Sequence, residues 1–308
     1  MLALVNTPKG PAPVEIRDVA EPQPARNEAL VGVHSFSLNR GELRSFVNND
    51  EGWIPGQDIS GTIVQQAADG SGPPAGTRIV ALTDDLGWAE RVAVPSHRIA
   101  VLPDSVSFAA AATLPVAGLT AMRSLWHGGA LLGRRVLITG AAGGVGHLAV
   151  QLAAQAGAHV TAVAGRPGRA EGLRELGAEE VVVGIENAQG KFWLILESAG
   201  GASLSTAVKL LEPRGTVVVY GNSAGEPSTI SFADFRGAQN ARIQSFFYFT
   251  SGPEEQFGPD LALLVSLIAD RKLTPQTGPE RSWREITQVA EELRARRISG
   301  KAVFRVDR

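Results

Sequence analysis

Up to about residue 116, apolar positions come in short runs broken by Pro and Gly. Met1-Leu2-Ala3-Leu4-Val5 opens the chain, with Pro8 and Pro11 close behind, and reads as a first strand. Residues 29–34 alternate weakly. Residues 61–64 and 77–82 are β-branched runs bounded by Gly, and residues 89–94 end at Pro95. A turn cluster, Ser71-Gly72-Pro73-Pro74-Ala75-Gly76, separates two of these runs. Short strands at this spacing predict a small barrel or sandwich.

The pattern changes near Ser107-Phe108-Ala109-Ala110-Ala111-Ala112. From there apolar strands alternate with helical periods. Strands are expected at 136–139, 160–164, 181–183, 193–196, 216–220 and 243–249. Helices are expected at 145–156, 169–176 and 204–211. Near-continuous apolar strands between helices predict an α/β fold with a doubly wound parallel sheet covered on both faces, of the Rossmann kind. The tail reads as amphipathic helices at 260–270 and 283–296 and a closing strand at 300–306, returning to the first domain. The expected division is 1–116 completed by 250–308, with 117–249 inserted.

Composition narrows the function classes. The chain has 308 residues, 44% hydrophobic and 19% charged, enough for two domains with real cores. Lys and Arg number 29 against 31 Asp and Glu, a balance that argues against nucleic acid or an anionic membrane as the main partner. No cysteine is present, so thiolate catalysis, disulfides and Cys-ligated zinc are excluded. The first apolar run is too short for a signal peptide, and no stretch reaches the ~18 apolar residues of a membrane span. The expectation is a soluble, cytoplasmic protein.

The motif with most chemical content is Val136-Leu137-Ile138-Thr139-Gly140-Ala141-Ala142-Gly143-Gly144-Val145-Gly146. A strand runs through a Gly/Ala turn into a helix. Free N–H groups and the dipole at a helix start favour a pyrophosphate, and small residues let the backbone approach it. Gly146 then allows the helix to pack on the strand. The cofactor-binding set on this reading includes Ala141, Ala142, Gly143, Gly144, Val145 and Gly146. The context of strand, turn, helix and second strand within about 30 residues is what the motif requires.

The second strand ends in Gly165-Arg166-Pro167-Gly168-Arg169. A site for NADH wants an Asp or Glu here for the ribose diol, and residues 159–170 hold none. Arg166 and Arg169 instead suit a phosphate, so NADPH is the expected cofactor. The alternative is that both are solvated loop charges.

Two other signals fail on inspection. Gly221-Asn222-Ser223-Ala224-Gly225 matches a hydrolase elbow, but its acid and His should follow it. All five histidines (His34, His97, His127, His147, His159) lie upstream. The segment is read instead as a loop at a strand end, lining the cofactor. No Tyr-x-x-x-Lys pair exists, since Ala224 and Gly252 follow Tyr220 and Tyr248 at that spacing. The histidines show no metal-ligand spacing.

Taken in order, five segments resemble the medium-chain dehydrogenase/reductase superfamily in its zinc-independent quinone oxidoreductase branch. They are Ser37-Leu38-Asn39; Gly56-Gln57-Asp58-Ile59-Ser60-Gly61-Thr62-Ile63-Val64; Gly87-Trp88-Ala89-Glu90-Arg91-Val92; Leu114-Pro115-Val116-Ala117-Gly118-Leu119-Thr120-Ala121; and the turn ending at Gly146. The resemblance implies a GroES-like β-rich substrate domain, a Rossmann domain and an active cleft between them. It also implies that Asn39 contacts the nicotinamide ribose region and that Thr120 lies near the ring. Gly221, Asn222, Phe246 and Phe247 would flank the ring, and Ser198 joins the cofactor-lining positions. Zinc-dependent relatives carry Cys and His where this chain has Asn39 and Gln57, so no metal is expected. Arg44 stands where many relatives place a Tyr. It either attracts an anionic group or is a plain surface charge.

The expected reaction is hydride transfer from NADPH to a quinone or an α,β-unsaturated carbonyl, with Asn39 and Gln57 as catalytic hydrogen-bond donors. Asp58 is read chiefly as a loop-holding carboxylate, and no dedicated acid is evident. Two alternatives stand beside this reading: an enoyl-thioester reductase of a biosynthetic pathway, and a protein that binds NADPH without turnover, as a sensor. The aromatic run Ile243-Gln244-Ser245-Phe246-Phe247-Tyr248-Phe249 is read as a bare edge strand that pairs two copies into a homodimer.

Overall fold

Strands β1 (Leu2–Asn6) and β2 (Val14–Asp18) form an antiparallel pair. Next come β3 (Glu28–Leu38), helix α1 (Glu42–Asn48), β4 (Asp58–Gln65), β5 (Arg78–Leu82), β6 (Arg91–Pro95) and β7 (Ile99–Val101). Strand β6 shows why such weakly patterned runs are strands: its five residues alternate half-buried and buried. That period-2 pattern puts Val92 and Val94 on the core face. Two helices follow, α2 (Phe108–Ala111) and α3 (Pro115–Trp126). In this computed structural model all residues are described except Pro11, Phe249, Thr250, Ser251, Pro253, Glu254, Arg308 and the side chain of Val47.

The next stretch holds β8 (Arg135–Thr139), α4 (Gly144–Gln155), β9 (His159–Ala164), β10 (Glu180–Val183), β11 (Phe192–Glu197), α5 (Gly201–Lys209), β12 (Leu211–Val219) and β13 (Arg242–Ser245). The tail adds α6 (Gly258–Ala269), β14 (Thr277–Ser282), α7 (Ile286–Arg294) and β15 (Lys301–Arg305). Chain contacts divide these elements into two compact units, Met1–Leu119 with Ser251–Arg308, and Thr120–Thr250.

The first unit is built on a seven-stranded sheet of order β14-β15-β3-β4-β5-β7, with β6 also on β3. All its pairings are antiparallel except β14 with β15. The closing strand thus docks on β3, placing Ala302 opposite Leu38 and Phe304 opposite Phe36. Phe36 stacks on both Trp88 and Phe304, at 5.2 Å between ring centroids in each case. All three rings are fully buried, and each such side chain contributes on the order of 1.5–3 kcal/mol.

In the second unit a six-stranded, wholly parallel sheet has the order β10-β9-β8-β11-β12-β13. Numbered within the unit this is 3-2-1-4-5-6, the doubly wound order, in which the chain reverses direction between β8 and β11. Residues 136–139 of β8 and 194–197 of β11 are buried on both faces, as helices on either side require. No described helix is long and apolar enough to cross a membrane.

Several expected elements differ. Residues 169–176 form no α-helix, but a short 3-10 turn (Pro167–Arg169) and a run of turns. Gly172 there takes φ +76°, a left-handed value that breaks an α ladder. The aromatic strand expected over 243–249 covers only Arg242–Ser245. Phe246 and Phe247 leave the ladder, and Phe249 lies outside the described residues. The helix expected over 204–211 starts earlier, and Leu211 opens β12 instead. The helix expected from Trp283 begins as a 3-10 turn under a Ser282/Glu285 capping box before α7.

Candidate active site

At the end of β8 the chain turns through Gly140, Ala141, Ala142 and Gly143 into α4, which opens with Gly144, Val145 and Gly146. The Ala141 amide donates to Val163 O at 3.1 Å, and Gly143 N donates to Gly140 O at 2.8 Å. Gly146 faces the turn so closely that a β-carbon would stand 2.3 Å from Gly140 O and 2.7 Å from Ala141 Cα. No other residue fits there without moving backbone. Gly143 caps α4 and offers no side-chain hydrogen bond to the first-turn amides. Those amides are left to solvent or to an anion, which a twelve-residue helix favours at this end. The residues present fit a pyrophosphate.

This turn lies at the point where the sheet reverses, beside the end of β11, where open α/β sheets bind ligands. Glu197, the last residue of β11, is fully buried. Its carboxylate accepts from Ala199 N at 3.1 Å, Gly200 N at 2.8 Å, Ser203 Oγ at 2.7 Å and Thr139 Oγ1 at 3.2 Å. Ser198 is thereby fixed against β8: its amide donates to Thr139 Oγ1 at 2.9 Å and its hydroxyl to Thr139 O at 3.2 Å. Tyr220 OH donates to the same carbonyl at 3.4 Å. Burial drives its phenol above the ordinary range, with the Glu197 charge adding to the effect. The loop after β12 is tied in as well. Ser223 N donates to Ser198 O at 3.0 Å and Ala224 N to Ala199 O at 2.8 Å. Asn222 Oδ1 accepts from Gly225 N at 3.0 Å. Ser223 is exposed and no helix starts within residues 224–231, so the Gly-x-Ser-x-Gly segment has no elbow geometry.

Ser198, Gly221, Asn222 and the Gly-rich turn therefore converge through Thr139, Glu197 and Tyr220. Of those three, Thr139 stands within the Gly-rich motif and Tyr220 enters the sequence reading only as a rejected Tyr-x-x-x-Lys candidate, whereas Glu197 is not singled out. The only trace in the chain is an acid ending the apolar run Phe192-Trp193-Leu194-Ile195-Leu196-Glu197. Thr120 is buried in α3. At the end of β9, Gly165 and Arg166 are exposed and Arg169 is half-buried. Phe246 N donates to Val219 O at 3.0 Å, and the Phe246 ring meets His127 edge-on at 6.2 Å. Burial holds His127 below the usual imidazole range. Phe247 is partly exposed.

The remaining predicted pair, Asn39 and Gln57, belongs to the antiparallel unit. Asp58, at the start of β4, is fully buried. Its Oδ2 accepts from Ser37 Oγ at 2.6 Å, Asn39 Nδ2 at 2.8 Å and Lys301 Nζ at 2.8 Å, and its Oδ1 from Val116 N at 2.7 Å. Lys301 also donates to Asn39 Oδ1. The Asn39 amide is thus oriented from both ends, with one Nδ2 hydrogen left to give. Glu42, the first residue of α1, accepts from Asn39 N at 2.6 Å and from Gln57 N at 3.2 Å. Among the described residues no three His, Asp or Glu side chains converge as a metal site would require.

Comparison with known proteins places this arrangement. The zinc-binding dehydrogenase family matches residues 144–266, a span that excludes Asn39 and Gln57. The chloroplast envelope quinone oxidoreductase homolog of Arabidopsis thaliana is 34% identical over 233 residues, covering 68% of this chain and 70% of that protein. A spectinabilin polyketide synthase system protein, NorB of Streptomyces orinoci, is 32% identical over 239 residues, 74% of this chain but 11% of that protein. Among solved structures, the quinone oxidoreductase of Thermus thermophilus, also determined with NADPH, superposes with a TM-score of 0.82. It is 30% identical, over 99% of this chain and 100% of that one. The chain belongs to the medium-chain dehydrogenase/reductase superfamily, in its quinone oxidoreductase-like branch, and is an oxidoreductase.

Proposed function

We propose that this protein is an NADPH-dependent reductase that passes hydride to a quinone or an α,β-unsaturated carbonyl without a metal ion. The observation that carries the reading is the turn after β8. There a glycine that tolerates no β-carbon and an uncapped helix start meet at the reversal point of a 3-2-1-4-5-6 sheet. On this reading the amides of residues 141–146 hold the pyrophosphate. Arg166 and Arg169 hold the 2′-phosphate, since no carboxylate between residues 159 and 170 is there to take a ribose diol. Thr120, Ser198, Gly221, Asn222, Phe246 and Phe247 line the nicotinamide end, with Asn39 at its ribose.

When bound, the dihydronicotinamide supplies the hydride. The protein's share is placement, exclusion of water and stabilisation of the anion that forms on the acceptor. Asn39 suits that last task, because Asp58 and Lys301 fix its amide and leave one N–H to donate. Gln57 supplies a second amide, and water delivers the proton. Amide side chains at these two places are poor metal ligands, so a reaction that needs zinc to polarise an alcohol is disfavoured.

A second reading, an enoyl-thioester reductase, is kept by the similarity to the polyketide synthase system protein. We further propose a two-fold homodimer. Strand β13 lies at the edge of the six-stranded sheet and all four of its residues are exposed. The chemistry is tested with NADPH deuterated at the nicotinamide C4. Deuterium on the β-carbon of a reduced enone or enoyl thioester is the expected result, and comparing the rates with the two acceptors tells the readings apart. An enone or enoyl thioester reduced without the label, by NADPH deuterated on both faces of C4, overturns direct hydride transfer; a hydroquinone is not scored, because its O–D exchanges with water.

A further inference from the structure

The start of α1 turns a carboxyl inward, where helix starts usually present acids to solvent. Glu42 is 3% exposed, and its two oxygens take the backbone amides of Asn39 and Gln57. One side chain thus ties together the two segments that bear the proposed hydrogen-bond donors. The charged groups that act on it are Asp58 from β4 and Lys301 from β15, both buried. We propose that Glu42 is a positioning residue for the reduction, whose neutral carboxyl keeps Asn39 held between Asp58 and Lys301. The proposal rests on the reductase reading for its activity test, and on the fold alone for its second test.

Charge balance is the core of the argument. Two carboxyls and one ammonium are buried together, and an uncompensated buried charge is costly. A single retained proton makes the cluster neutral. Asp58 has four donors, one of them the Lys301 ammonium, whereas Glu42 has two backbone amides. The proton therefore resides on Glu42. Burial, and after it the Asp58 charge, push the Glu42 carboxyl up to about 8, against the pull of the Asn39 and Gln57 amides and of Lys301. Once Glu42 ionises, it competes with Asp58 and Asn39 for Lys301. Lys301 then loses its hold on Asn39 Oδ1, and the amide is free to turn away.

Two measurements on the 308-residue chain decide the matter. For NADPH-dependent reduction, wild-type kcat/KM should fall about tenfold per pH unit above pH ~8. Glu42→Gln, which cannot ionise, should lack that limb. An identical alkaline limb in the variant overturns the proposal. The second readout needs no turnover. The folded carboxyl, at about 8, lies above its ordinary 4.5. The stability of its neutral form is therefore whole below pH ~4.5 and is lost as pH rises to ~8. Wild-type Tm should decline across that window, and the Glu42→Gln Tm should decline less. Parallel Tm profiles overturn the proposal whatever the activity. Glu42→Met, uncharged but unable to accept from the Asn39 and Gln57 amides, should also lack the alkaline limb, with kcat/KM lowered at every pH. If the wild type oxidises no NADPH, the reductase reading falls, and the Tm profiles alone judge Glu42.

Discussion

Arg166 and Arg169 stand just past β9, in a stretch of residues 159–170 without a carboxylate. A guanidinium gives a phosphate several charge-assisted N–H bonds that a ribose hydroxyl cannot exploit. Replacing both by Ala should weaken NADPH binding by ~1–3 kcal/mol and leave NADH nearly unaffected, as read by fluorescence titration of each cofactor. Equal losses would assign the pair to the loop rather than to the phosphate. The signal that makes them candidates is local: a strand, its end and a missing acid. Lys301 carries no such signal. It meets Asp58 across 243 residues of chain, and nothing around Gly300-Lys301-Ala302 marks it as the partner of a buried carboxylate. Glu197 escapes a reading of the sequence for a different reason: its donors, two backbone amides with Ser203 Oγ and Thr139 Oγ1, converge only in the folded turn. Asp58 lies between these cases. Its place in Gly56-Gln57-Asp58 pointed to a loop-holding role, and the four donors now supply the reason.

Elements with one dominant period were readable, and those whose ends depend on a turn were not. Strands β8, β9, β10 and β11 each begin one residue before the expected start: Arg135, His159 and Glu180 show that a polar residue can open a ladder at the sheet's rim, whereas β11 opens on the buried Phe192. Residues 169–176 have helical composition, yet Gly172 takes a left-handed conformation and the segment becomes turns. The aromatic run from Ile243 misled differently. Its β-propensity is high throughout, but pairing with β12 ends at Ser245 opposite Val219. Hydrophobicity along one strand does not reveal where its neighbour stops. What remains is a short exposed edge, with Ile243 41% exposed. A Lys or Glu on such an edge blocks strand addition. Ile243→Glu should therefore convert the proposed dimer to monomer in light scattering, with little change in Tm. A dimer that survives the substitution places the interface elsewhere.

At the scale of the molecule, one topological fact organises the rest: the chain leaves its antiparallel sheet, completes a parallel one, and returns to add β14 and β15. The return delivers Lys301 to Asp58 and so completes the setting of Asn39. Texture along the sequence revealed the change of sheet type, because strands buried on both faces read differently from strands buried on one. The five ordered motif segments revealed the superfamily. The acceptor was beyond reach in both sequence and fold, since it depends on pocket walls that related chains vary freely. The central claim is that this protein oxidises NADPH in preference to NADH when given an electron-poor acceptor. The direct measurement is consumption of each cofactor against one panel of small quinones, enones and enoyl thioesters. The account predicts selective NADPH oxidation with one acceptor class. Faster consumption of NADH, or NADPH that binds and is never consumed across the panel, would contradict it.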